Sequence, residues 1–119
     1  MPDPARILIV EDEYLIRLLL EDMLSELGYA VGAVASNLED GKSKAETAEI
    51  DIAILDVNID GKQVFPIAEI LRGRGKPFIF VTGYGAQGLP EHYRGNPTLQ
   101  KPMQMHDLKT MLVRTLGER

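Results

Sequence analysis

Ile52-Ala53-Ile54-Leu55-Asp56-Val57-Asn58 is the stretch that decides the fold. Four apolar residues in succession fit a strand buried on both faces, as in a parallel sheet covered by helices. The run then stops at a carboxylate. Open α/β sheets bind ligands beyond the carboxyl ends of their strands, so an Asp delivered there lies on the binding rim. Three other runs end in a similar way. Arg6-Ile7-Leu8-Ile9-Val10 leads into Glu11-Asp12-Glu13, and Phe78-Ile79-Phe80-Val81 leads into Thr82-Gly83. The shorter Thr98-Leu99-Gln100 leads into Lys101-Pro102. If these strands are parallel, Glu11, Asp12, Asp56, Thr82 and Lys101 converge on one edge.

Composition sets the bounds. A chain of 119 residues is expected to form one domain, and 45% hydrophobic content supports one core. The net charge of −5 and the lack of a Lys/Arg cluster argue against a nucleic-acid footprint. There is no cysteine, which excludes disulfides, thiolate chemistry and Cys-ligated zinc. No basic segment with an apolar core opens the chain, and no apolar run approaches the ~18 residues of a membrane span. The expectation is a soluble protein of a reducing cytoplasm, with no membrane or nucleic-acid partner.

Taken in order, the chain alternates strand and helix signals. Strands are expected at Arg6–Val10, Tyr29–Ala35, Ile52–Leu55, Phe78–Val81 and Thr98–Gln100. The first helix is expected over Glu13–Leu27. At about 100° per residue, Leu15, Ile16, Leu19, Leu20, Met23, Leu24 and Leu27 share one wide apolar face. Leu18 falls outside it, among Arg17, Glu21, Asp22 and Ser25. With Tyr14, it is a candidate partner-docking residue, because apolar surface on a polar face is how helices meet other helices. Ser36 stands three residues before Glu39, the spacing of a capping box, so the second helix is expected over Asn37–Ala48. Gly41 weakens that helix. A third helix is expected over Gln63–Arg72, with Val64, Ile67, Ala68 and Leu71 inward. Three glycines and a proline in Gly83–Pro90 argue against a firm helix there, leaving a short helical turn at Pro90–Tyr93. A last helix covers Met105–Leu116. Five-fold βα alternation implies a parallel sheet with right-handed crossovers.

Carboxylates crowded at one rim repel, by several kcal/mol for a pair about 4 Å apart at an effective dielectric near 20. Such a site either holds a proton or binds a cation. Oxygen ligands with few carboxylates suit Mg²⁺, and the Asn58 backbone carbonyl adds another oxygen. Lys101 adds a point charge, and Thr82 a hydroxyl donor. A carboxylate nucleophile in such company is suited to carry a phosphoryl group, on Asp56. Taken singly, each residue has a plainer reading as a helix start, a turn or a loop. It is their order, each at a strand end, that points to chemistry.

With these motifs the chain resembles the receiver domain of two-component response regulators, over essentially its whole length. The resemblance rests on Glu11 and Asp12 after strand one, Asp56 after strand three, Thr82 after strand four, and Lys101-Pro102 after strand five. It implies a flavodoxin-like α/β fold with a five-stranded parallel sheet in the order 2-1-3-4-5 and helices on both faces. It also implies phosphorylation of Asp56 by a phosphohistidine of a histidine kinase or histidine phosphotransfer protein. Mg²⁺ would be held by Asp12, Asp56 and the Asn58 carbonyl, with Glu11 acting through a metal-bound water. A cis Lys101–Pro102 bond is implied too. The family's usual aromatic three residues before the lysine is Thr98 here, and the short Thr82–Lys101 interval implies a trimmed or melted helix four. Pro77–Gly85 is similar to the Phe-Ala-Thr-Gly-Tyr subgroup of receivers, linked to stress-response signalling. Switching is therefore expected to involve Thr82, Tyr84 and the 83–96 loop. Nothing after Leu116 reads as an output module, so one receiver domain over 1–119 is expected to act by protein contact, unless the sequence is a piece of a longer regulator. Two other readings stand beside this one. The first is a degenerate receiver that binds partners unphosphorylated. The second is an aspartate-nucleophile phosphatase, disfavoured because Asn58 stands where that class has its acid.

Overall fold

The computed structural model describes residues 3–83 and 88–117. The elements are β1 (Arg6–Val10), α1 (Tyr14–Glu26), β2 (Ala30–Ala35), α2 (Leu38–Thr47), β3 (Ile52–Asp56), β4 (Asn58–Ile59), β5 (Lys62–Gln63), α3 (Phe65–Gly73), β6 (Phe78–Thr82), β7 (Thr98–Gln100) and α4 (Met105–Leu116). A 3-10 turn at Glu91–Tyr93 lies between β6 and β7. The main sheet runs β2-β1-β3-β6-β7, all parallel. Counting only its five strands, this is the expected 2-1-3-4-5 flavodoxin-like order.

Strand periodicity divides the core in two. Ile7, Ile9, Ile52, Ile54, Ile79 and Val81 project toward α1 and α4, where Leu20, Leu24, Leu108 and Leu112 meet them. Leu8, Val10, Ala53, Leu55, Phe78 and Phe80 project to the other face, against α2 and α3. Alternate side chains serve opposite layers, so these strands must be apolar throughout.

Several local expectations change. On α1 the buried row is Leu20, Met23 and Leu24, while Leu15 is 76% exposed and Leu19 47% exposed. The helix rests on the sheet along one narrow row, and Leu15 and Leu19 sit on its flank. Leu18 is exposed, as expected. The α2 cap is Asn37 rather than Ser36, with the Asn37 side chain accepting from the Asp40 N–H at 2.8 Å. Helix α3 starts two residues later than Gln63, because Asn58–Gln63 folds as an antiparallel hairpin. Its turn residues Asp60 and Gly61 have φ of 50° and 78°, the two left-handed positions of a type I′ turn.

Among the described residues between β6 and β7, Glu91–Tyr93 forms a 3-10 turn where a short helical turn is expected. The described part of this interval hangs on two buried side chains, Leu89 and Tyr93. The Tyr93 ring stacks on Phe65 at 5.1 Å and meets Phe80 edge-on at 5.3 Å. Its hydroxyl donates to Glu69 Oε1 at 2.7 Å. Burial and that bond push the Tyr93 phenol up to about 12.

Gly41 packs against the tip of Ile67. A Cβ there would stand 2.5 Å from Ile67 Cδ1 on α3. Adding a methyl to a filled core costs about 1–3 kcal/mol, against about 1 kcal/mol gained in helix propensity. Gly41→Ala is therefore expected to destabilise the fold by about 1 kcal/mol. In an Ile67→Val background, which removes Cδ1, the same change is expected to be neutral or stabilising. Urea unfolding of the four proteins checks this, and equal effects in both backgrounds would refute it.

Candidate functional site

The rim residues take their places from the strands that deliver them. Asp56 is the last residue of β3 and pairs with Val81 on β6. The Glu11 N–H donates to the Ala35 carbonyl at 3.0 Å, fixing the chain just beyond β1. The Lys101 N–H donates to the Thr82 carbonyl at 2.9 Å, holding the end of β7 beside the end of β6. The Lys101–Pro102 peptide is cis, as the resemblance implies. The Arg17 guanidinium donates to the Glu11 carbonyl at 2.8 Å and ties α1 to the same rim.

At side-chain level the convergence is close. Lys101 Nζ donates to Asp56 Oδ2 at 2.9 Å and lies 3.5 Å from Glu11 Oε2 and 4.0 Å from Glu13 Oε1. Carboxylate oxygens of Glu11, Asp12 and Asp56 all fall within 4.8 Å of one another. Glu11, Asp56 and Thr82 are buried, while Asp12 is partly open. Asp12, Asp56 and Thr82 border a cleft of about 590 Å³, lined also by Asn58, Gln63 and Gly88.

The electrostatics follow from this crowding. Burial, reinforced by the hydrogen bond and negative charge of Asp56, raises the Glu11 carboxyl to about 8 despite Lys101. Burial alone would lower Lys101. The hydrogen bond it donates to Asp56 and the surrounding carboxylates outweigh it, and the ammonium is held above its ordinary range. The rim therefore holds one fixed cation and an acidic group that keeps its proton near neutrality.

The donor set suits a hard divalent cation. Three carboxylates within 4.8 Å are more anionic charge than one lysine balances. The β4–β5 hairpin adds a further oxygen. The Val64 N–H donates to the Val57 carbonyl at 2.9 Å, so alternation along the ladder makes Asn58 and Gln63 a non-hydrogen-bonded pair. The Asn58 carbonyl is thereby left outside the ladder. The Asp60 N–H donates to Asp12 Oδ2 at 2.9 Å and fastens the hairpin across the cleft. Asp60-Gly61 is the sequence signal for that hairpin.

Tyr14 and Leu18 lie on the exposed face of α1 and do not line the cleft. The Tyr14 ring lies beneath Arg17 at 5.5 Å. Leu15 and Leu19 extend the same exposed apolar surface. Tyr84 lies outside the described residues. Reading by strand ends missed Gln63 and Tyr93, neither of which terminates a strand of the main sheet.

The family model described as the response regulator receiver domain matches residues 7–113. The chain belongs to that family, a family of signalling domains that bind Mg²⁺ at an acidic site and interact with kinases or phosphotransfer proteins. It is similar to the solution structure of SdrG from Sphingomonas melonis Fr1, with 38% identity and a TM-score of 0.83, covering 95% of this chain and 97% of that one. SdrG has also been described in a BeF3-activated conformation. The receiver domain of sensor histidine kinase PA1611 from Pseudomonas aeruginosa PAO1 is 26% identical, with a TM-score of 0.81 over 97% of this chain and 99% of that one. That structure has a magnesium ion coordinated in its active-site cleft. The transcriptional regulatory protein PdtaR of Mycobacterium tuberculosis is 34% identical over 109 residues, 88% of this chain and 53% of that protein. The chain spans about half the length, or less, of the curated relatives it matches. None of the helices, among the described residues, is long and apolar enough to cross a membrane.

The Glu11 shift sets a pH dependence. Its folded value, about 8, lies above the ordinary 4.5, so the folded protein keeps a proton the unfolded chain releases. Stability from this group is full below about 4.5 and is lost as pH rises toward 8. The raised Lys101 acts only above its ordinary 10.5, outside this window. With chelator present, urea unfolding is expected to show stability falling between pH 5 and 8, and Glu11→Gln is expected to flatten that slope. An unchanged slope in Glu11→Gln would contradict the shift.

Proposed function

We propose that this receiver accepts a phosphoryl group on Asp56 from a phosphohistidine of a histidine kinase or phosphotransfer protein. The observation that carries this is Lys101 Nζ 2.9 Å from Asp56 Oδ2, inside the cluster of Glu11, Asp12 and Asp56. An Asp56 carboxylate oxygen attacks phosphorus, and the phosphorus–nitrogen bond breaks. Its electron pair leaves on the imidazole, which takes a proton from solvent. Lys101 holds Asp56 in place and neutralises charge on the transferring oxygens, while Thr82, which lines the same cleft, brings a hydroxyl donor. Asp12, Asp56 and the Asn58 carbonyl would hold Mg²⁺, with Glu11 reaching it through water. Bound there, the ion supplies positive charge against the phosphoryl oxygens.

The 119 residues are read as one receiver unit that signals by protein contact, in the cytoplasm. The Phe80-Val81-Thr82-Gly83-Tyr84 stretch supports kinship with the Phe-Ala-Thr-Gly-Tyr subgroup. Tyr14, Leu15, Leu18 and Leu19 give α1 an apolar surface suited to a helical partner such as a kinase bundle. Switching is assigned to the segment hung on Leu89 and Tyr93, because Thr98 supplies no aromatic and Gly88 lines the cleft.

Incubation with Mg²⁺ and acetyl phosphate, read by intact mass, is expected to add one phosphoryl group to the wild type and none to Asp56→Ala. Leu18→Asp is expected to keep that gain while losing transfer from the cognate phosphohistidine. On the phosphorylated sample, hydrogen exchange is expected to change over 88–96. No gain in the wild type would defeat the proposal, equal loss of both transfers in Leu18→Asp would defeat the docking surface, and unchanged exchange would defeat the switch.

A further inference from the structure

The β4–β5 hairpin has two faces with different jobs. Ile59 and Val64 turn into the core and are fully buried. Asn58 and Gln63 are cross-strand partners, and both line the cleft above Asp56. Residues directly opposite in an antiparallel pair share a face, so two carboxamides stand side by side at the open side of the site. The element carrying them is braced. Ile59 anchors it below, the Val64 N–H closes its base on Val57 at 2.9 Å, and the Asp60 N–H is fastened to Asp12 at 2.9 Å.

From this we infer that Gln63 positions the water that removes the phosphoryl group from Asp56. The inference rests on the proposed phosphorylation of that residue. The Asp56 side chain is only 7% exposed, so a nucleophile must reach its phosphoryl group through the cleft, which the exposed Gln63 also lines. Lys101 is committed to Asp56 and the neighbouring carboxylates. Gln63 is neutral and carries both a donor and an acceptor, so its oxygen can accept from the water while the lone pair of that water faces phosphorus. A carboxamide orienting water is a recurring device in phosphoryl transfer. In the step, a water oxygen bonds to phosphorus and the bond from phosphorus to the Asp56 oxygen breaks. Asp56 leaves as carboxylate with the electron pair, and the water proton passes to phosphate or solvent.

The test loads wild type, Gln63→Leu and Gln63→Asn with Mg²⁺ and acetyl phosphate, removes the donor, and follows the phosphorylated fraction by intact mass. Gln63→Leu is expected to lose the phosphoryl group about fivefold more slowly, the scale of one lost hydrogen bond, with its rate of gain and its melting temperature unchanged. Gln63→Asn, which keeps the carboxamide, is expected to fall between the two. Decay of Gln63→Leu within twofold of wild type overturns the inference while leaving phosphorylation intact. Equal slowing of gain and loss assigns Gln63 a general structural role and also overturns it. A wild type that gains no phosphoryl group overturns the underlying function, and this inference with it.

Discussion

Uncompensated negative charge at the carboxyl end of the sheet is the constraint around which this molecule is arranged. Glu11, Asp12 and Asp56 bring carboxylate oxygens within 4.8 Å of one another, partly out of water. Such an arrangement is unfavourable unless something offsets the repulsion. Lys101, 2.9 Å from Asp56, offsets part of it, and a proton retained on Glu11 offsets more. A divalent cation bound there would replace that proton with a larger charge, and the proposed phosphoryl group would give the cation and the lysine a common ligand.

The rest of the fold serves to hold those charges together. Four sheet strands contribute, and each is fixed by pairing to its neighbour, so the separation of Asp56, Thr82 and Lys101 is set by strand spacing. The strands are buried on both faces, which makes the rim rigid. Two additional fastenings come from loops. The Asp12–Asp60 bond draws the β4–β5 hairpin over the cleft, and Arg17 ties α1 to the backbone of Glu11. Opposite that bracing stands the stretch between β6 and β7, whose described residues depend on Leu89 and Tyr93 for their seat.

The sheet and its rim were legible because both obey local rules. An apolar run of four or five residues followed by a polar side chain marks a buried parallel strand and its ligand-facing end, and Ile52–Asp56 shows both. Other features depend on distances along the chain that local rules do not reach. The apolar pattern of α1 is wide enough to bury Leu15 and Leu19, but the sheet covers only the row of Leu20, Met23 and Leu24. The hairpin signal Asp60-Gly61 is plain, yet its strands are two residues each, too short to show alternation. Gly41 reads as a weak point in a helix until Ile67 is seen across from it. Tyr93 is a lone aromatic among polar residues, and its partner Glu69 lies 24 positions earlier.

On the proposed function, Asp56 holds the phosphoryl group and Lys101 is bonded to it. A crystal structure grown with Mg²⁺ and beryllofluoride tests this most directly. Beryllium is expected on an Asp56 carboxylate oxygen, with Lys101 Nζ within hydrogen-bond distance of a fluorine and the cation bound by Asp12 and Asp56. Beryllofluoride bound elsewhere, or absent from a folded protein with Mg²⁺ in the cleft, would contradict it.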